Sequence, residues 1–342
     1  MKCPISFLFA LLLVCVWQSV ATAAEAPSVR ILFDTDMDSD CDDAGALAIL
    51  HALADAGEVE LLGALVSSSH PWSGACVDAI NTYFGRPDLP IGVSKAKSAS
   101  RQGSKFAKRI SEEFSHDFPE GNDAPDAVTV YRQVLAAQPD KSVVIVTVGD
   151  LTNLRYLLES TADDVSPLGG RELVAAKVKE WVCMGSRYPA DLDPNPWGNF
   201  KMDPESTEKA IANWPTTITF TGGGAFADSV ATGKTLSELP KDNPVRRVYE
   251  LYFGGAARNR HSADQIAVMV AARGSGAPWK LVTQGRNKIF ANGTHQWEET
   301  PNDPRHQYVS ALLDETTAKE VAAEMETLMR HLPKEQTTSP QR

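Results

Sequence analysis

Short runs of apolar residues alternate along this chain with longer stretches in which apolar positions recur every three or four residues. The runs predict β-strands at residues 29–33, 61–66, 143–148, 177–184 and 217–221. The stretches predict helices at residues 44–56, 74–84, 245–253 and 265–272, with a further helix start at Asp203-Pro204-Glu205. Because the run at 143–148 is almost continuously apolar, it indicates burial on both faces. We therefore predict the α/β class, with an open, mostly parallel, Rossmann-like sheet and helices on both of its faces.

The two ends of the chain carry patterns of their own. Lys2, an apolar run at 7–17 and small residues at 21–24 are typical of a signal peptide, so residues 1–24 are predicted to direct export to a periplasmic or extracellular location. Residues 25–333 contain no convincing linker and are predicted to form one domain. A polar tail is predicted at residues 334–342.

The net charge of the chain bears on whether nucleic acids or anionic membranes are partners. Acidic residues number 44 and basic residues 33, so the formal net charge is -11. This excess argues against broad attraction to phosphate backbones or anionic lipids. We expect no nucleic-acid polymer as a partner, and no membrane association once the signal peptide is removed.

The most informative segment is residues 34–43, which holds six carboxylates in ten residues directly after the first predicted strand. Two carboxylates about 4 Å apart repel by about 4 kcal/mol at an effective dielectric constant near 20, so a converging cluster calls for protonation or a cation. Hard oxygen ligands favour Ca²⁺, which accepts six to eight of them in flexible geometry. Ligands of open α/β sheets bind at the carboxyl ends of strands. A calcium site is therefore predicted here, with a solvated acidic turn as the alternative.

Two other aspartate-rich motifs fit this sequence less well. An EF-hand loop beginning at Asp34 would need Gly and Glu where Ser39 and Gly45 stand. A phosphohydrolase similar to the haloacid dehalogenases would use Asp34 as a nucleophile and carry Thr or Val where Asp38 stands.

The run from Asp34-Thr35-Asp36 to Asp42-Asp43-Ala44 resembles the signature of the calcium-dependent nucleoside hydrolases of inosine-uridine type, in a version with a longer loop. The similarity continues through residues 85–90, 148–153 and 199–205 and reaches Asp264 at the head of an apolar helix. This resemblance implies the nucleoside hydrolase fold over residues 25–333. It also implies hydrolysis of the N-glycosidic bond of ribonucleosides, or of a related N-riboside, to ribose and free base.

The resemblance also implies roles for single residues. The metal would be Ca²⁺, and its implied ligands are Asp36, Asp43, the backbone carbonyl of Thr152, and Asp264. Asp36 would also deprotonate the attacking water, Asp42 and Asn199 would bind the ribose, and Asp34 would orient the loop from outside the site. The implied partner is a small nucleoside. The family tends to form dimers or tetramers, which is compatible with a homo-oligomer.

Three departures from the family pattern concern the leaving base and the sugar. Ala263 stands where the family has a His, and Trp197 stands where it has a Glu. We expect His261 to donate a proton to the leaving base from a shifted position, with a surface histidine as the alternative. Trp197 is expected to stack on the base or to be a buried structural residue, and His70 to contact the sugar or merely to pack. Asp38 and Asp40, which belong to the longer loop, are predicted to be solvated, with metal ligation as the alternative.

Three functions of different classes remain open from the sequence. The first is a secreted nucleoside hydrolase. The second is a noncatalytic protein that binds calcium and a sugar on the same fold. The third is a magnesium-dependent phosphohydrolase of the haloacid dehalogenase type.

Overall fold

A computed structural model describes residues 28–99, 103–118, 123–188, 196–312 and 314–334. The predicted signal peptide lies outside the described residues, as does all but Lys334 of the predicted tail.

The centre of the molecule is an eight-stranded sheet in the order β3-β2-β1-β4-β5-β6-β10-β7. Every neighbouring pair is parallel except β10 and β7, which are antiparallel, and β8 and β9 form a separate antiparallel ribbon. The strands are β1 (Val29–Thr35), β2 (Val59–Val66), β3 (Ile91–Val93), β4 (Val143–Thr147), β5 (Val178–Arg187), β6 (Thr217–Gly223), β7 (Trp279–Val282), β8 (Arg286–Ile289), β9 (His295–Glu298) and β10 (His306–Leu312).

Helices cover both faces of this sheet. They are α1 (Asp42–Asp55), α2 (Ser73–Tyr83), α3 (Ala107–Glu113), α4 (Ala127–Ala137), α5 (Thr152–Glu159), α6 (Gly170–Lys177), α7 (Pro204–Asn213), α8 (Ala225–Asp228), α9 (Pro244–Phe253), α10 (Ala263–Arg273) and α11 (Glu315–Met329). Helices α1, α10 and α11 pack together on one side, and α4 to α7 pack together on the other. Within the described residues, no helix combines the length and the apolar character that crossing a membrane requires.

Alternation along the strands produces the three layers. On β1, Ile31 and Phe33 belong to the apolar cluster on the α1 side, whereas Leu32 belongs to the cluster on the α4 side. On β4, Val144 and Ile145 divide in the same way. Because successive side chains of a strand point to opposite faces, a strand covered on both faces must be apolar throughout. The predicted α/β fold is confirmed, including the burial of the fourth strand on both faces.

The predicted start of α7 is also confirmed. The Asp203 carboxylate accepts a hydrogen bond from the Ser206 amide at 3.1 Å, and Pro204 occupies the first turn, where its missing N–H costs nothing. Helix α1 begins at Asp42, two residues earlier than the apolar pattern predicts, so the last two aspartates of the acidic run lie in its first turn. Carboxylates are stabilised there by the helix dipole.

Candidate active site

The acidic run follows β1, which lies between β2 and β4 in the middle of the sheet. Hydrogen bonds to Thr35, Asp43 and Ser73 hold the turn that follows β1. The Met37 amide donates to Thr35 Oγ1 at 3.1 Å and to Asp43 Oδ1 at 3.3 Å, and Ser73 Oγ donates to the Met37 carbonyl at 2.9 Å. Gly149, just after β4, has no side chain to obstruct the turn, since a Cβ there would lie 2.6 Å from the Asp36 nitrogen. The turn therefore passes close to the end of β4 and directs its carboxylates inward.

Helix α10 brings a further carboxylate to this turn. Carboxylate oxygens of Asp42, Asp43 and Asp264 lie within 4.8 Å of one another, and all three residues are buried. Together with Asp36, also buried, they face a cavity of about 220 Å³ at the carboxyl edge of the sheet. The described residues that line it are Asp36, Ser39, Asp40, Asp42, Asp43, Val148, Met184, Trp197, Gly198, Asn199, Lys201, Met202, Arg260, His261 and Asp264.

The four inward carboxylates are difficult to ionise together. Burial, supplemented by the charge of Asp40, raises the pKa of Asp43 to about 7 despite hydrogen bonds from Thr35 and Met37. Burial and the repulsion of neighbouring aspartates hold the pKa values of Asp36, Asp42 and Asp264 well above the ordinary value. A divalent cation among these oxygens would offset the repulsion. The donor set, carboxylates beside a strand-end backbone, fits a hard cation such as Ca²⁺.

Asp34 plays a different part, because it does not line the cavity. Its carboxylate accepts hydrogen bonds from Tyr131 Oη at 2.7 Å and from Asn153 Nδ2 at 3.1 Å. Burial raises the pKa of Asp34 to about 8, against the opposing effect of these two donors. These bonds tie the end of β1 to α4 and α5, which agrees with the orienting role expected from the sequence.

Asn199 and Trp197 form the opposite wall of the cavity. The Asn199 amide nitrogen donates to the carbonyls of Val148, at 2.6 Å, and Met184, at 3.0 Å, which fixes the side chain between β4 and β5. The Trp197 indole lies against Gly223, where a Cβ would come within 2.2 Å of the ring. The Arg187 guanidinium stacks on the same indole at 4.8 Å from the ring centre. Asn199 and Trp197, two of the four predicted substrate-binding residues, therefore line the cavity with their side chains held by neighbouring groups.

His261 also lines the cavity. Its Nε2 lies 3.6 Å from Asp40 Oδ2 and 3.6 Å from Asp42 Oδ2, while its Nδ1 faces Asp228 Oδ1 at 3.8 Å. Burial, followed by the charge of Arg260, lowers the pKa of His261. Ala263, at the family's usual histidine position, is fully buried in the core. The structure thus places His261 among the predicted site residues.

Two predicted site residues are not among the described residues that line the cavity. Thr152 is the first residue of α5, and its hydroxyl, which is not the implied ligand atom, donates to Asp203 Oδ2 at 2.9 Å. Val148, the residue that follows β4, does line the cavity. His70 is buried beside the loop, where its Nδ1 accepts from the Trp72 amide at 3.4 Å. Neither Thr152 nor His70 is among the described lining residues.

The prediction that Asp38 and Asp40 are solvated is wrong. Asp38 is fully buried, and its carboxylate accepts from Ser68 Oγ at 2.7 Å at the end of β2. Asp40 is 23% exposed and forms a salt bridge with Arg260, 220 residues away in the sequence. Burial raises the pKa of Asp40, but the hydrogen bonds and charge of Arg260 outweigh this and lower it. The longer loop folds inward because both carboxylates meet donors there.

The sequence analysis missed Arg260 and Lys201, two cations that line the cavity. Each stands close to a predicted residue, Arg260 beside His261 and Lys201 two positions after Asn199. A basic residue beside a proposed proton donor was a usable signal for Arg260. For Lys201, no comparable signal was present.

Comparisons with known proteins agree with this geometry. Residues 31–330 match the family described as inosine-uridine preferring nucleoside hydrolase. Among solved structures, a plant nucleoside hydrolase is similar with a TM-score of 0.67 and 16% identity, covering 89% of this chain and 99% of that one. An inosine-guanosine nucleoside hydrolase has a TM-score of 0.64 and 15% identity, covering 87% and 98%. The inosine-uridine preferring enzyme of Bacillus anthracis has a TM-score of 0.61 and 14% identity, covering 87% and 99%. No curated protein matches the sequence.

The chain therefore belongs to the inosine-uridine preferring nucleoside hydrolase family. It is a hydrolase that acts on N-glycosyl compounds, as the resemblance in the sequence implies.

Proposed function

We propose that this protein hydrolyses the N-glycosidic bond of ribonucleosides to ribose and free base. The observation that carries the proposal is the buried group of Asp42, Asp43 and Asp264, whose oxygens converge within 4.8 Å beside Asp36. Such a group is costly as an empty structural feature, because buried like charges raise one another's pKa. Its place at the carboxyl ends of central strands is where open α/β sheets bind their ligands.

The metal that fits this group is Ca²⁺, held by the carboxylates of Asp36, Asp43 and Asp264. We propose the backbone carbonyl of Thr152 as a further ligand, as the resemblance implies, with the carbonyl of Val148, which lines the cavity, as the alternative. The Val148 carbonyl accepts one hydrogen bond from Asn199 and retains a second lone pair. When bound, the cation keeps the carboxylates ionised and polarises water and sugar hydroxyls.

The residues around the proposed sugar site have separate roles. Asp36 takes the proton of the water that attacks the anomeric carbon, because it faces the cavity from the turn after β1. Asp42 and Asn199 bind the ribose hydroxyls from opposite walls. The reaction passes through a sugar with oxocarbenium character, and the fixed negative charges stabilise the positive charge as it develops.

The leaving base needs a surface on which to stack and a proton donor. Trp197 supplies the surface, since its indole is held between Gly223 and the Arg187 guanidinium and one side faces the cavity. His261 supplies the donor, because its Nε2 faces the cavity and lies 3.6 Å from each of two carboxylates, too far for a hydrogen bond. We propose that His261, when protonated, gives its Nε2 proton to the departing base nitrogen and is left as the neutral imidazole.

A ribose-release assay over common purine and pyrimidine nucleosides, with calcium and after its removal by a chelator, tests this function. We expect release from at least one nucleoside with calcium and loss of release without it. Isothermal titration with the same nucleosides runs alongside. Calcium-dependent binding of a nucleoside with no ribose released would reject hydrolysis and favour the noncatalytic alternative.

A further inference from the structure

Arg260 and Asp40 form a two-pronged ion pair at the mouth of the cavity. Arg260 Nε lies 2.9 Å from Asp40 Oδ1 and 3.0 Å from Oδ2, and a second guanidinium nitrogen, Nη2, also donates to Oδ2. The guanidinium stacks on Tyr252 at 5.5 Å from the ring centre. Paired donors of this kind fix the plane of a carboxylate as well as its position.

The segment that carries Arg260 is itself fixed. Arg260 and Thr232 exchange two backbone hydrogen bonds of 2.8 and 2.9 Å, and Ser262 Oγ lies 2.8 Å from Thr232 Oγ1. The residues on both sides of His261 are therefore anchored to the same neighbouring strand-like segment. What remains free is the rotation of the His261 side chain itself.

Three carboxylates face that imidazole. Asp40 and Asp42 lie 3.6 Å from Nε2, and Asp228 lies 3.8 Å from Nδ1. Asp228 is 67% exposed and therefore holds the ring weakly, because solvent screens it. Asp42 faces the proposed ribose site and would be engaged by substrate. Asp40 is the neighbour whose position is set by another protein group, Arg260.

We propose that Asp40, clamped by Arg260, is a positioning residue that holds His261 with Nε2 directed toward the leaving base. The attraction between the fixed carboxylate and the Nε2 side of the ring favours that rotation over the one that would direct Nε2 to solvent. This inference rests on the proposed function. It assigns a purpose to the longer acidic loop, since Asp40 belongs to that loop and pairs there with Arg260.

The test compares two substrates that differ in their need for a proton donor. One is inosine or uridine, whichever the wild-type protein cleaves faster, and the other is p-nitrophenyl β-D-ribofuranoside. The nitrophenolate leaves as a stable anion and needs no protonation. Asp40→Asn, which keeps the side-chain volume, and Arg260→Lys, which keeps the charge but not the fork, are measured on both. Melting temperature and calcium titration accompany each variant.

We expect Asp40→Asn to lower kcat for the nucleoside by about 10- to 100-fold, since a misplaced donor costs that much, and to change the nitrophenyl rate less than about threefold. Arg260→Lys should fall between wild type and Asp40→Asn. The matched control is Arg247→Lys, which alters a similar two-pronged pair with Glu113 away from the cavity and should leave both rates unchanged.

Equal losses on both substrates would overturn the inference, because they would show that Asp40 supports the metal site or the loop in general. Unchanged rates on both would overturn it as well. If the wild-type protein cleaved neither riboside, the proposed function would fail and this inference with it, an outcome visible before any variant is made.

Discussion

Removal of the divalent cation should destabilise this protein more in mildly alkaline than in mildly acidic solution. The reason lies in Asp43, which is buried among like charges and whose pKa is raised in the folded chain from 3.8 to about 7. The folded state then binds a proton more tightly than the unfolded state does. This contribution to stability is complete below pH 4 and is lost as the pH rises through 7.

The size of the effect follows from that pKa. A tenfold change in proton affinity corresponds to about 1.4 kcal/mol, so a rise from 3.8 to about 7 corresponds to about 4 kcal/mol for Asp43 in the metal-free protein. A bound cation removes most of this penalty, because it keeps the carboxylate ionised at low cost. For a chain of this size, about 4 kcal/mol is a difference in melting temperature of roughly 6 °C.

The assay is thermal unfolding of protein freed of metal by dialysis, with and without added calcium, near pH 5 and near pH 8. The gain from calcium is compared within each pH, because other groups, such as the buried His51, also change stability with pH. We expect a gain of roughly 6 °C near pH 8 and a much smaller gain near pH 5. Asp43→Asn removes the charge and keeps an acceptor for Thr35. It should melt above metal-free wild type near pH 8 and gain little from calcium. An equal calcium gain at the two pH values, or an Asp43→Asn variant that responds like wild type, would refute the reasoning.

Three further predictions concern single residues. Asp36→Asn should lower ribose release by about 10²- to 10⁴-fold without lowering the melting temperature, since it removes a base and keeps its volume; retained release would reject Asp36 as the base. Trp197→Ala should raise KM for the cleaved nucleoside up to about tenfold while leaving the affinity for free ribose unchanged, as titration would show, and a parallel loss of ribose affinity would contradict base stacking. Gly149→Ala should cost about 1–3 kcal/mol of unfolding free energy in urea, because its Cβ would lie 2.6 Å from the Asp36 nitrogen; wild-type stability would show that the turn has room to move.

The parts of the fold that the sequence predicts well are those in which burial dictates an uninterrupted apolar pattern. Strand β4, Val143–Thr147, is buried along its whole length, and the sequence locates it to within one residue. The ribbon of β8 and β9 escaped prediction because its short strands mix polar, charged and apolar residues. Strand β3 escaped because it has three residues, too few to show a period.

The residues of the site also differ in how well the sequence predicts them. The acidic run that holds Asp36, Asp42 and Asp43 was predicted as a cation site from its crowding after a strand, whereas the resemblance to the family supplied Asp264. Whether a loop carboxylate is solvated or buried depends on partners that local pattern does not reveal. Asp40, for example, pairs with Arg260, which lies 220 residues further along the chain.

The charged residues around the cavity come from two distant parts of the polypeptide. The turn after β1 emerges early in synthesis, whereas Arg260 and Asp264 follow some two hundred residues later and reach it only when α10 has docked against α1. A chain truncated or misassembled anywhere in between presents an acidic turn without its counterpart. A cation held by these aspartates would therefore join two segments far apart in the chain, and its binding would report that α10 has docked.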